Sequence, residues 1–83
     1  MPHYVYIMRC ADSSLYTGIT NNLVARETRH KDGDGTKFTK FHGGGRIVYS
    51  ELYATYLDAR HREVQIKKWR REKKEHLIRG LKP

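Results

Sequence analysis

A chain of 83 residues and 9.8 kDa has room for one domain around one small core, which excludes a doubly wound cofactor fold, a second core or a long repeat array. Apolar residues at 37% are too many for a disordered tail, and charged residues at 31% require a densely charged surface. The net charge of +8 and a pI near 9.9 point to a polyanionic partner.

The basic residues crowd into the last third. Between Arg60 and Lys82 stand Arg60, Arg62, Lys67, Lys68, Arg70, Arg71, Lys73, Lys74, Arg79 and Lys82, against only Glu63, Glu72 and Glu75. Such self-repulsion favours a polyanion, and nucleic acid over a membrane, because the stretch lacks a continuous apolar face. One cysteine, Cys10, allows no internal disulfide and no cysteine-based zinc site, and is expected to pack as a small hydrophobe. The five histidines have no metal-ligand spacing. With no leader-like start and no long apolar run, the expected location is the cytoplasm.

In chain order, Tyr4-Val5-Tyr6-Ile7-Met8 has the aromatic and β-branched content of a strand. Ala11 to Ser14 reads as a hairpin turn, and Leu15 to Ile19 as the second strand. Asn21 and Asn22 can cap a helix running to about His30, ended by Asp32-Gly33-Asp34-Gly35. A basic, glycine-ended connection spans Thr36 to Gly45 and holds Lys37 and Lys40; Ile47 to Tyr53 is the third strand. Thr55, with Asp58 three residues on, starts a helix reaching Trp69, and a last helix runs from Arg71 to Leu81 after a bend near Arg70. The order ββαβαα predicts one α/β domain over residues 1–83, a small three-stranded antiparallel sheet with flanking helices.

Three groups of residues carry possible chemistry. In the first helix Leu23, Arg26 and His30 share a face, while Val24, Ala25 and Thr28 lie on another arc that could pack on the sheet. In the second, Tyr56, Ala59, Glu63 and Ile66 form an apolar stripe with a carboxylate in its middle. A carboxylate turned toward low dielectric needs a partner: either an ion pair, Arg26 being one choice, or a hard divalent cation. Strand alternation places Tyr4 and Tyr6 on one face and Val5 on the other, with Tyr16 on the neighbouring strand two residues before Gly18. For Tyr49, Tyr53 and Tyr56 packing is the expected role.

These residues in this order resemble the GIY-YIG nuclease superfamily, and within it the small stand-alone bacterial members. Tyr4-Val5-Tyr6 stands where the GIY segment stands, and Tyr16-Thr17-Gly18 where YIG stands. Arg26 and His30 match the helix signature, and Arg62-Glu63 followed by Ile66-Lys67-Lys68-Trp69 is similar to the segment with the metal-binding glutamate. Tyr4 replaces the first glycine, Ile19 stands where some members have lysine, and no asparagine follows Glu63.

The resemblance implies a divalent-metal-dependent endonuclease that hydrolyses phosphodiester bonds in DNA, with RNA possible, directed by structure more than by sequence. It implies Mg²⁺ or Mn²⁺ on Glu63, Arg26 on the phosphate, His30 hydrogen-bonding the water or orienting the base, and Tyr6, or else Tyr16, as the base. A phenol near pKa 10 needs neighbouring cations to serve as that base. Lys37, Lys40, Lys67, Lys68, Arg70, Arg71, Lys73 and Lys74 would hold the flanking backbone. No organic cofactor and no membrane are implied. Two other readings stay open: a non-catalytic nucleic-acid-binding module, and a basic domain docking on an acidic protein.

Overall fold

The structure is a computed structural model that describes residues 2–31 and 42–80. Three strands, β1 (His3–Cys10), β2 (Leu15–Thr20) and β3 (Gly45–Tyr53), form one antiparallel sheet in the order β2-β1-β3. Helix α1 (Leu23–Lys31) follows β2, and α2 (Tyr56–Lys67) and α3 (Arg71–Ile78) follow β3. The ββαβαα order is therefore the one predicted, as is the antiparallel sheet.

β1 is central and carries the core. Val5 and Ile7 pack with Ala59 and Ile66 of α2 and Leu77 of α3. Tyr6 and Met8 alternate to the opposite face and are as fully buried, and Cys10 is buried too, as expected of a packed thiol. This double burial explains why β1 reads as an almost continuous apolar run. Beside it on β2, the hydroxyl of buried Thr17 has no hydrogen-bond partner among the described residues. An unmade hydrogen bond at a buried hydroxyl costs about 1–3 kcal/mol. Thr17→Val is therefore expected to raise the thermal midpoint; a fall in stability would show that the hydroxyl is satisfied.

The helix ends follow local chemistry. Asn22 Oδ1 accepts from the Ala25 amide at 3.0 Å, and Thr55 Oγ1 from the Asp58 amide at 3.2 Å, so both predicted caps form. α2 ends at Lys67, two residues before the predicted Trp69, because the amides of Lys68 and Trp69 close its last turn onto Gln65 and Ile66. Arg70 is extended and starts α3, the predicted break. α3 stops at Ile78 rather than Leu81: Gly80, at φ +77, bonds back to the Leu77 carbonyl in a left-handed terminating turn.

Packing inverts one expectation for α1. Val24 is 78% exposed, and Ala25 and Thr28 are exposed too, while Leu23, Arg26 and Glu27 are half-buried. Glu27 Oε2 accepts from the Ile47 amide of β3 at 2.8 Å, which turns the Arg26 side of the helix inward. A charged side chain meeting an unpaired strand amide outcompetes the weak apolarity of Val24 and Ala25. On α2, Tyr56 is 57% exposed, so the buried stripe shortens to Ala59, Glu63 and Ile66.

α3 is tied to the sheet by charge. Arg9 donates from both terminal nitrogens to Glu75, at 3.0 and 2.5 Å. Those bonds hold the Glu75 carboxyl below its usual range against an opposing push from burial. A depressed carboxyl contributes stability that is present above its unfolded value, about 4.3, and lost as pH falls through the folded one. Glu51 behaves alike: burial raises it, but hydrogen bonds from Arg62, Tyr49 and Tyr53 together hold it low. Stability is thus expected to fall as pH drops below about 4. Glu75→Gln is expected to remove about 1–2 kcal/mol at neutral pH and to flatten that acid slope. Urea midpoints between pH 7 and 2.5 check this; an unchanged slope would sink the linkage.

Candidate active site

The sheet register brings the two tyrosine segments together. Tyr6 on β1 lies directly opposite Gly18 on β2, and its ring covers the space a side chain there would fill. A Cβ on Gly18 would meet the Tyr6 hydroxyl at 2.7 Å and the Tyr16 ring at 3.1 Å. The two rings sit 6.2 Å apart between centroids, tilted by 47°. The glycine is thus a packing requirement of both phenols.

α1 and α2 bring charges to the same place. The Tyr6 phenol is pushed well above its ordinary range, first by burial, then by Tyr16, with Arg26 lowering and Glu63 raising it. Arg26 and Glu63 therefore lie within electrostatic reach of one hydroxyl, although residues from four elements are involved. The direction is opposite to what a resting base requires: Tyr6 is 1% exposed and holds its proton, whereas Tyr16 is half-exposed. His30 falls near the end of α1, and its side chain lies outside the described residues, as do Lys37 and Lys40.

Glu63 is the buried carboxylate on α2. Its partners are not Arg26 but neighbours on its own helix: Arg60 at 2.5 Å on one oxygen and Lys67 at 3.3 Å on the other. Both cations are 47% exposed at the side chain. They can leave for solvent at little cost, which keeps the carboxylate accessible to another cation.

The donor set limits any metal. Among the described residues no group of three or more His, Cys, Asp or Glu could hold an ion. A closed protein cage is therefore absent there. One oxygen-donating carboxylate fits a hard cation that keeps most of its water and takes further oxygens from a phosphate.

The basic C-terminal residues divide by occupation. Lys68, Arg70 and Lys73 are exposed. Half-exposed Lys67 rests on Glu63, and Arg71 on the Ser13 carbonyl and Glu75. Lys74 is half-buried, and burial, then Lys67, lowers its pKa.

Two polar clusters escaped sequence reasoning. Glu51 accepts from the Tyr49 and Tyr53 hydroxyls and from two nitrogens of Arg62. Only the alternation Tyr49-x-Glu51-x-Tyr53 on one strand face signals it. Asp12 pairs with His42 and accepts from the Ser14 amide, and these bonds hold its carboxyl at about 2. No local pattern links residues thirty positions apart, so the sequence carried no signal for that pair.

Comparison with known proteins shows the family of the chain. A family model described as the GIY-YIG catalytic domain matches residues 2–76. UPF0213 proteins of Staphylococcus aureus, in strains Mu50 and COL, are each 44% identical over 77 residues, covering 93% of this chain and 94% of theirs. The solution NMR structure of UPF0213 protein BH0048 from Bacillus halodurans is similar at a TM-score of 0.60 and 38% identity, over 94% of this chain and 83% of that one.

Proposed function

We propose that this chain, which belongs to the GIY-YIG catalytic-domain family, is a divalent-metal-dependent endonuclease acting on phosphodiester bonds in DNA. The observation that carries the reading is the packing of Tyr6 and Tyr16 over Gly18, with Arg26 and Glu63 within electrostatic reach of the Tyr6 hydroxyl. Each brings what diester hydrolysis needs. Arg26 grips two phosphate oxygens with its planar fork as negative charge builds there. Tyr6, protonated in its buried position, donates a hydrogen bond into the site rather than accepting a proton. Half-exposed Tyr16 is then better placed to take the proton of the attacking water, and the family resemblance gives His30 the part of hydrogen-bonding that water or orienting the base. Glu63 would hold Mg²⁺ or Mn²⁺, which supplies polarisation of the phosphate and stabilises the leaving oxygen. Arg60 and Lys67, free to swing outward, turn to flanking phosphates together with Lys68, Arg70 and Lys73. Contacts to phosphates read no bases, so selectivity rests on the shape of the nucleic acid.

The ion-paired state of Glu63 favours one second reading, a binding module without catalysis. A cleavage assay in Mg²⁺ and Mn²⁺ over duplex, branched, damaged and single-stranded DNA, with RNA counterparts, separates the two. Divalent-dependent cutting that disappears in Arg26→Ala is the expected result. If the parent protein cuts nothing yet binds DNA with a steep salt dependence, the binding module replaces the nuclease.

A further inference from the structure

A second surface lies on the far flank of α2. At about 100° per residue, Asp58, His61, Gln65 and Lys68 point roughly opposite to Glu63. With Tyr53, Arg62 and Trp69 they line an open groove of about 830 Å³. Tyr6, Tyr16, Arg26 and Glu63 are not among its lining residues; Lys68, placed above among the flanking-phosphate contacts, is.

The groove is built from an aromatic, an anchored arginine and exposed lysines. Arg62 is held on both sides: its Nε and Nη2 donate to Glu51 at 2.9 and 3.0 Å, and its Nη1 to Gln65 at 2.8 Å. So anchored, the guanidinium sits 5.1 Å from the centroid of the Trp69 ring. The exposed Lys73 ammonium lies 4.5 Å from the same centroid. Lys68 and His61 add exposed cationic or polar groups. Against them Glu51 is consumed by Arg62, which leaves Asp58 as the lining carboxylate.

We infer that this groove is a second nucleic-acid contact that seats an unpaired base of a single-stranded segment beside Trp69, with Lys68 and Lys73 on the adjoining phosphates. The inference rests on the nucleic-acid reading above but not on catalysis. Charge complementarity selects a polyanion, and the aromatic selects one with planar rings. A paired base hides its faces in the duplex stack, so the occupant is unpaired. The pre-set Arg62 lowers the ordering cost of binding, because its geometry is already settled in the fold. Lys73, on a flexible stem, can give up its place on the ring and move to a phosphate.

Trp69 is the single tryptophan of the chain, so its emission reports on the groove alone. In EDTA, a twelve-residue oligothymidylate is expected to quench it saturably. Inorganic polyphosphate, charged but without bases, is expected to quench much less. Trp69→Leu should weaken binding of the labelled oligonucleotide about tenfold, as loss of one stacked base does. Because Trp69 also packs against the core, Lys68→Glu provides a variant on an exposed position, and should shift the quenching midpoint upward several-fold. No quenching by the oligonucleotide, equal quenching by polyphosphate, or an unshifted midpoint in Lys68→Glu would overturn the proposal. Stronger quenching by poly-glutamate would also overturn it, and assign the groove to acidic peptides. Quenching without any cleavage would sink the nuclease reading alone; cleavage without quenching would sink the groove alone.

Discussion

Replacing Glu63 with Gln is expected to abolish divalent-dependent cleavage while the fold survives. The amide keeps the shape of the carboxylate but not the charge that would retain a cation. Losing even about 3 kcal/mol of transition-state stabilisation lowers the rate roughly a hundredfold. The stability cost is small, because Arg60 and Lys67 are half-exposed and can be solvated once their partner is neutral. Ion pairs whose cations reach solvent contribute about 1 kcal/mol or less. DNA binding should persist or tighten, since one negative charge near the phosphates is gone. Initial rates in Mg²⁺ and Mn²⁺, taken with thermal melts and binding isotherms, check all three arms. Unchanged cutting would end the metal-ligand role; a collapsed melt would make Glu63 a structural pair instead.

Gly18→Ala is expected to damage both stability and activity. Its Cβ would lie 2.7 Å from the Tyr6 hydroxyl and 2.9 Å from Tyr6 Cζ. Tyr6 is 1% exposed and has no room to swing aside. Forcing an extra methyl into such packing costs about 1–3 kcal/mol. Tyr16 is pressed as well, at 3.1 Å, so both phenols leave their places and cleavage should fall by more than tenfold. Adding Tyr6→Phe removes the closest atom, and should recover part of the lost stability without restoring the rate. Gly80→Ala is the matched control. Among the described residues nothing lies within 4 Å of its added Cβ, and the cost expected there comes from φ +77. It should destabilise by about 1 kcal/mol and leave cleavage alone. Equal melting temperatures for Gly18→Ala and the parent would show that the phenols do not need the gap.

Much of this molecule was legible in one dimension because its signals are local. Strand alternation, the Asn22 and Thr55 caps and the break at Arg70 depend on residues within a few positions of one another. The landmarks from Tyr6 to Glu63, taken in order, carry the resemblance to the family. The ends of α2 and α3 came out shorter than predicted, since a closing turn and the left-handed Gly80 act through backbone geometry that composition barely marks.

What the sequence determined by itself, then, is the element order, the antiparallel sheet, the excess of positive charge and the short set of residues worth suspecting. The tertiary structure alone decided which way each of them faces and what it touches. Helical phase left two arcs of α1 open, and the bond from the Ile47 amide to Glu27 chose between them. Spacing marked Glu63 as a carboxylate in need of a partner, and packing supplied Arg60 and Lys67 in place of Arg26. Tyr6 reads in the sequence as a strand phenol of ordinary acidity, and burial on the central strand then raises its pKa. Burial, pairing and dielectric are sums over neighbours distant in sequence, and those neighbours are set only when the sheet and helices close on one another.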